Sequence, residues 1–141
     1  MGDVVTITGR TTDVQGRFMV SARTNHFITD SRGGPGEAVQ AGELMLSALA
    51  SCALGNIETH ARELDVAMTG GHAEISFARD ENDGTRYEWI RLTLRVDGVG
   101  QAQAERLVGL FTDSCPIYNT LRRGGNVEVV TIAGPARPEA G

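Results

Sequence analysis

The sequence predicts a single α+β domain, and three observations support this class. Runs with apolar residues at alternate positions, typical of β-strands, precede and follow one long apolar segment that is typical of a helix. The predicted order is three strands, a helix, two strands, two helices and a last strand, so strands and helices do not alternate as they do in a parallel sheet. The length of 141 residues and mass of 15.0 kDa fit one domain. We therefore expect an antiparallel sheet with a long buried central helix, in a domain that spans residues 1–141 with a core from about 3 to 132 and a flexible tail from 133 to 141.

The N-terminal part of the chain predicts an antiparallel meander followed by a loop. Three β-rich runs, at residues 3–9, 16–22 and 25–30, are separated by residues that favour turns. Residues 31–42 are rich in glycine and contain Pro35, which excludes a long regular element. We expect this segment to lie as a loop over another part of the molecule.

The segment from Glu43 to about Val66 predicts the long helix. Its first half is apolar on all sides and only its second half is amphipathic, which favours a buried central position. Small residues such as Ala48 and Ala53 would allow a second helix or a partner chain to approach its backbone closely. Two consecutive glycines, Gly70 and Gly71, end the segment.

The C-terminal half predicts two half-buried antiparallel strands, two helices and a last strand. Apolar residues alternate in the strand segments, whereas the first helical segment has one apolar stripe. Cys115 and Pro116 separate the two helices, because a residue before proline is disfavoured in helical geometry and proline suits the first helical position. The predicted ranges are 72–79, 86–97, 101–114, 116 to about 122, and 126–132.

Composition and charge exclude several classes of function. The chain has 13 basic and 18 acidic side chains and a net charge of -5, so we expect no binding to nucleic acid or to anionic membranes. All the basic residues are arginine, which excludes a lysine Schiff base and a lysine-containing phosphate loop. The three histidines lack the spacing of a metal site. The N-terminus does not resemble a signal peptide and no stretch approaches about 20 apolar residues, so we predict a cytoplasmic location.

Two cysteines, Cys52 and Cys115, are the strongest candidates for chemistry. Cys52 lies in the apolar helix, where burial disfavours the thiolate. Cys115 lies at the predicted start of a helix, where free backbone amides and the helix dipole favour an anion. These residues alone leave two interpretations open, inert core thiols or a redox pair.

The stretch from Glu43 to Cys52, which reads ELMLSALASC, and the later Cys115-Pro116-Ile117 together resemble the OsmC/Ohr family of small thiol peroxidases. The order of the predicted elements agrees with the family over nearly the whole chain. The resemblance implies an OsmC-like fold of two intertwined chains, a homodimer, with the active site at the interface. It also implies that Cys52 is the peroxidatic thiol that attacks an organic hydroperoxide, that Cys115 resolves the sulfenic acid as a disulfide, and that a dithiol partner reduces this disulfide in oxidative-stress defence. No metal or organic cofactor is implied.

The same resemblance implies further site residues. The family's peroxidases use an arginine from the N-terminal part, and an ungapped count gives Arg32 as the cation that stabilises the thiolate, with Arg17 as the alternative. The family's catalytic glutamate would fall at Gly42. Glu43 is one residue away, so it is either a replacement for that acid or only a first-turn residue that favours the helix dipole.

Three functions therefore remain open. The first is a peroxidase for organic hydroperoxides, which the apolar surroundings of Cys52 favour over hydrogen peroxide. The second is a dimeric protein of the same fold that binds an apolar small molecule with little or no turnover, which the glycine at position 42 favours. The third is a structural protein in which Cys52 and Cys115 are unrelated thiols, too far apart to bridge.

Overall fold

The structure is a computed structural model that describes residues 2–125, 128–131 and 133. Within these residues the chain has an α+β fold of five strands and three helices, which confirms the predicted class and the predicted order of elements up to the last helix. The elements are β1 (Thr8–Thr11), β2 (Arg17–Ala22), β3 (Asn25–Asp30), α1 (Ala41–Glu63), β4 (Gly70–Arg79), β5 (Tyr87–Asp97), α2 (Gln101–Ser114) and α3 (Pro116–Arg123).

The described strands form two antiparallel sheets, so the expectation of a single sheet is wrong. One sheet is the meander β1-β2-β3 and the other is the pair β4-β5. The 23-residue helix α1 separates β3 from β4 along the chain and packs against β4. The second sheet therefore packs against the helices, and within the described residues no strand of it pairs with a strand of the meander.

The two ends of the chain differ from the prediction. The first strand is Thr8–Thr11 rather than residues 3–9, because Thr8 already pairs with Ser21 near the end of β2 and leaves residues 2–7 without a partner strand among the described residues. Residues 128–131 of the predicted last strand are described and are not in a strand. Residues 126, 127 and 132 of that strand, and the predicted tail apart from Ala133, lie outside the described residues.

Helix α1 begins two residues before its predicted start. Gln40 is the N-cap, and its backbone N–H donates to the Glu43 carboxylate at 2.9 Å, which satisfies one of the free amides of the first turn. His60 and Arg62 lie in the last turn, where positive charge favours the helix dipole. Gly42 is thus inside the helix and not at the end of the preceding loop.

The core is built around one stripe of α1. Its buried residues recur at every fourth position, where they share one face of the helix. The rest of the apolar first half is only half-buried in this chain, including Leu44, Met45 and Leu46, so burial on all sides is not observed within the chain. The stripe consists of Leu49, Ala53, Ile57 and Ala61, and the last three pack with Val96, Leu107, Phe111 and Cys115.

The three-stranded sheet stands apart from this core. No residue of β1, β2 or β3 belongs to the buried apolar cluster that the described residues form. None of the described helices is both long and apolar enough to cross a membrane.

Candidate active site

Cys52 and Cys115 are joined by a disulfide bond, across 63 positions of the chain. Their Cα atoms are 7.0 Å apart. Cys52 lies in the middle of α1, and Cys115 lies at the junction of α2 and α3. The bond contradicts the interpretation of two unrelated thiols that are too far apart to bridge.

Cys115 occupies a completely buried junction. Its backbone N–H donates to the Phe111 carbonyl at the end of α2, and it is also the N-cap of α3, whose first residue is Pro116. The Cys115 Sγ accepts a hydrogen bond from the Tyr118 N–H at 3.4 Å. The side chain is 0% exposed, so the donor at the helix N-terminus faces a sulfur that solvent does not reach.

Cys52 is half-buried and therefore more accessible than Cys115. The side chain of Asn56, one turn later on α1, bonds to it twice. Asn56 Nδ2 donates to the Cys52 carbonyl at 2.8 Å and lies 3.4 Å from Cys52 Sγ. The two sulfurs of the disulfide thus differ in access and in the kind of donor that each one faces.

A chain of polar contacts continues from Asn56 to the end of α1. Asn56 Oδ1 lies 3.4 Å from the hydroxyl of Ser114, the residue before Cys115. The same hydroxyl lies 3.3 Å from His60 Nε2, and His60 Nδ1 lies 3.5 Å from a Glu63 oxygen. These contacts connect the cysteine-bearing turn of α1 to the end of α2.

Two surface grooves flank α3 close to the disulfide. The larger, of about 450 Å³, lies between α1, β5 and α3, and its walls include Leu49 and Tyr118, each three residues from a cysteine. Its remaining walls are mainly aromatic and aliphatic, with Glu88 and Arg122 as charged residues. The second groove, of about 400 Å³, is lined by Met45, Ala48, Pro116, Ile117, Thr120 and Leu121.

Arg17 is held by a buried carboxylate. Its guanidinium donates to both oxygens of Asp30, at 2.8 and 3.0 Å, and Asp30 also accepts the backbone N–H groups of Glu37 and Ala38 at 2.8 Å. The bonds from Arg17 hold the pKa of the Asp30 carboxyl well below its usual range; burial opposes this shift, and the backbone donors support it. This pair fastens the glycine-rich loop to the meander.

Arg32 lies exposed in that loop. Neither Arg32 nor Arg17 makes a hydrogen bond or an ion pair with Cys52 in the part of the chain that the structure describes. A stabilising contact between either arginine and the Cys52 thiolate stays a prediction.

A side chain at position 42, where the family's glutamate would fall, would be crowded in this arrangement. A Cβ added at Gly42 would lie 3.0 Å from Phe77 Cζ and 3.2 Å from Tyr87 Oη. The two rings are themselves in contact, with centroids 4.0 Å apart, so they fill the space beside the helix. The carboxylate of Glu43, at the next position, accepts a hydrogen bond from the Gln40 backbone N–H, as expected of an acid in the first turn of a helix.

The sequence interpretation missed Asn56, Ser114 and the Arg17–Asp30 pair. Cys52, Asn56 and His60 are spaced four residues apart, which places them on one helix face, and this spacing was the available signal. Arg17 and Asp30 are cross-strand partners in the hairpin β2-β3, so a correct hairpin register would have paired them. Within the described residues, no three His, Cys, Asp or Glu side chains come together as metal ligands.

Comparisons with known proteins, by sequence and by structure, both find OsmC-like proteins. The sequence profile of the OsmC-like protein family matches residues 34–130. An OsmC-like protein from Mycoplasma pneumoniae superimposes with a TM-score of 0.76 at 17% identity, over 86% of this chain and 89% of that one. A search of curated proteins gave no significant match.

Two further solved structures are those of organic hydroperoxide resistance proteins. The OsmC protein of Legionella pneumophila has a TM-score of 0.65 at 20% identity, over 85% of this chain and 90% of that one. OhrB of Bacillus subtilis has a TM-score of 0.64 at 17% identity, over 89% of this chain and 96% of that one. At these identities the likeness shows a shared fold.

Proposed function

Because this chain belongs to the OsmC-like protein family, we propose that it is a cysteine-based peroxidase that reduces organic hydroperoxides. The observation that carries this proposal is the bond between Cys52 and Cys115, the two residues that a peroxidatic and a resolving thiol would occupy. The shared fold with the organic hydroperoxide resistance proteins of Legionella pneumophila and Bacillus subtilis supports the same activity.

The difference in access between the two cysteines supports these two roles. In the reduced protein, the Cys52 thiolate attacks the terminal oxygen of the hydroperoxide and the O–O bond breaks. The alkoxide leaves and takes up a proton from water to become the alcohol, and Cys52 becomes a sulfenic acid. The Cys115 thiol then attacks the Cys52 sulfur, water leaves, and the disulfide forms. Since Cys115 is completely buried, it is suited to this internal step and not to meeting a peroxide from solution.

The larger groove favours an organic substrate. Leu49 and Tyr118 bring apolar surface within one helical turn of each cysteine, and this surface would lose contact with water when an alkyl or aryl group binds. Hydrogen peroxide offers no group to occupy it. A dithiol partner would supply the two electrons that reopen the disulfide, which fits a cytoplasmic protein of oxidative-stress defence, because the cytosol keeps such dithiols reduced.

A homodimer is part of the proposal. The half-buried apolar residues Leu44, Met45 and Leu46, together with the second groove beside α3, offer the kind of surface that a second copy would cover. Sedimentation or light scattering of the purified chain would give a mass close to 30 kDa for a dimer, twice that of the 15.0 kDa chain. A mass of one chain at micromolar concentration would contradict it.

The decisive experiment is consumption of cumene hydroperoxide with dithiothreitol as the reductant. We expect turnover by the parent protein and loss of turnover in Cys52→Ser. In Cys115→Ser, with dithiothreitol left out because it would reduce a sulfenic acid directly, we expect a single oxidation that leaves a sulfenic acid on Cys52, which dimedone traps. Hydrogen peroxide should be a poorer substrate. Equal consumption by the parent and by Cys52→Ser would refute the peroxidase proposal.

The alternative is a protein of the same fold that binds an apolar small molecule with little or no turnover. The observation that favours it is that glycine stands at position 42, where Phe77 and Tyr87 would crowd a side chain. The hydroperoxide experiment separates the two functions. Binding of the non-peroxidic analogue cumyl alcohol, without hydroperoxide consumption above background, would support the binding protein.

A further inference from the structure

The side-chain amide of Asn56 is the hydrogen-bond donor that the structure places on Cys52 Sγ. Its nitrogen, Nδ2, lies 2.8 Å from the Cys52 carbonyl oxygen and 3.4 Å from the sulfur, and it carries two hydrogens to donate. We propose that Asn56 is a positioning residue that fixes the Cys52 sulfur and stabilises its thiolate after the disulfide is reduced. The catalytic meaning of this role rests on the proposed peroxidase function, whereas the effect on the thiol does not.

The orientation of the amide is fixed by its hydrogen bond to the Cys52 carbonyl. The Cys52 carbonyl is an acceptor, so the Asn56 group beside it must be the NH₂ and not the oxygen. The opposite end, Oδ1, faces the Ser114 hydroxyl at 3.4 Å, and that hydroxyl is also close to the Leu110 carbonyl, at 2.6 Å. Because Ser114 precedes Cys115, this contact also ties the donor to the segment that carries the second cysteine.

The donor gains strength when the sulfur becomes charged. A disulfide sulfur is a weak acceptor, whereas a thiolate carries a full negative charge, and a hydrogen bond to a charged form favours that form. Within the described residues no charged side chain makes a hydrogen bond or an ion pair with Cys52. The network also contains two titratable groups, His60 and Glu63, which lie on α1 like Asn56. They are connected to Asn56 through the Ser114 hydroxyl of α2. Asn56 is therefore the group that we expect to lower the pKa of this thiol in the arrangement described.

The test measures the Cys52 thiol without any hydroperoxide. In a Cys115→Ser background, which leaves one thiol, the pH dependence of alkylation by iodoacetamide reports the pKa of Cys52. We expect Asn56→Ala to raise this pKa by about one unit, which lowers the alkylation rate near neutral pH by up to about tenfold. Asn56→Asp, which has nearly the same shape but replaces the donor with a negative acceptor, should raise the pKa further.

Asn119 provides a matched control. Its Nδ2 donates to the Cys115 carbonyl at 2.9 Å, the same four-residue arrangement, but it has no bond to a sulfur. Asn119→Ala should leave the pKa of Cys52 unchanged. If Asn56→Ala and Asn56→Asp, both folded by circular dichroism, leave that pKa at the parent value, the positioning role is refuted. A different result would refute only the peroxidase proposal: the parent protein would consume no hydroperoxide, while the Asn56 variants would still shift the pKa of Cys52.

Discussion

The disulfide should make the stability of the protein depend strongly on its oxidation state. Reduction opens a loop of 63 residues, and the chain-entropy relation for such a loop gives about 14 cal/mol/K, or about 4 kcal/mol at 25 °C. Packing should change little, because a reduced cysteine remains a small apolar side chain in the core beside Phe111. We therefore expect the free energy of unfolding to fall by about 4 kcal/mol on reduction.

Urea denaturation measures this difference directly. Unfolding of the oxidised protein and of the protein in a non-thiol reductant can be followed by circular dichroism, and with a slope of about 2 kcal/mol/M the midpoints should differ by about 2 M urea. Cys115→Ser cannot form the bond, so its midpoint should match that of the reduced parent and should not respond to reductant. Coincident midpoints of the oxidised and reduced parent would refute the reasoning and remove the observation on which the peroxidase proposal depends.

Three further predictions concern residues other than the cysteines. Phe111→Ala should cost about 4 kcal/mol in urea unfolding, because the ring is 0% exposed and leaves a cavity; a loss below about 1 kcal/mol would contradict its place in the core. The pKa of Asp30 is lowered in the folded state, so its stabilising effect is present above the unfolded value of about 3.9 and is lost as the pH falls towards the folded value. Asp30→Asn should therefore lose less stability than the parent between pH 7 and pH 3, and equal losses would show that the bond to Arg17 does not set this pKa. Gly42→Glu should destabilise the protein by about 1–3 kcal/mol, because its Cβ would lie 3.0 Å from Phe77 Cζ; an unchanged midpoint together with faster hydroperoxide turnover would show that the rings move aside.

The sequence predicted the elements whose signals are local. The apolar alternation in β4 and β5 and the stripe on α2 follow from periodicity alone, and the break between α2 and α3 follows from Pro116. The first strand was misplaced because residues 3–9 have strand composition, whereas strand formation needs a partner, and β2 pairs only as far as Thr8 on that side. The division into two sheets was also beyond local patterns, since it depends on where α1 packs.

The candidate site was predictable only in part. The properties of Cys52 and Cys115 left both inert thiols and a redox pair open, and their pairing was expected from the family resemblance. The two hydrogen bonds of Asn56 to Cys52 follow from helical spacing, but its contact with Ser114 depends on how α1 and α2 pack, which no local pattern specifies. The roles of Arg32 and Glu43 as catalytic residues stay predictions.

The separation of the meander from the core should make the molecule open in two stages. The strands β1, β2 and β3 add nothing to the cluster around Phe111, and Asp30, with its bonds to Arg17 and to the loop, links them to the segment that precedes α1. Amide hydrogens of the meander should therefore exchange with solvent through partial openings, while those of α1 and α2 should exchange only on global unfolding. A protease that cleaves the loop after Asp30 would then release the N-terminal strands and leave the disulfide and its helices folded.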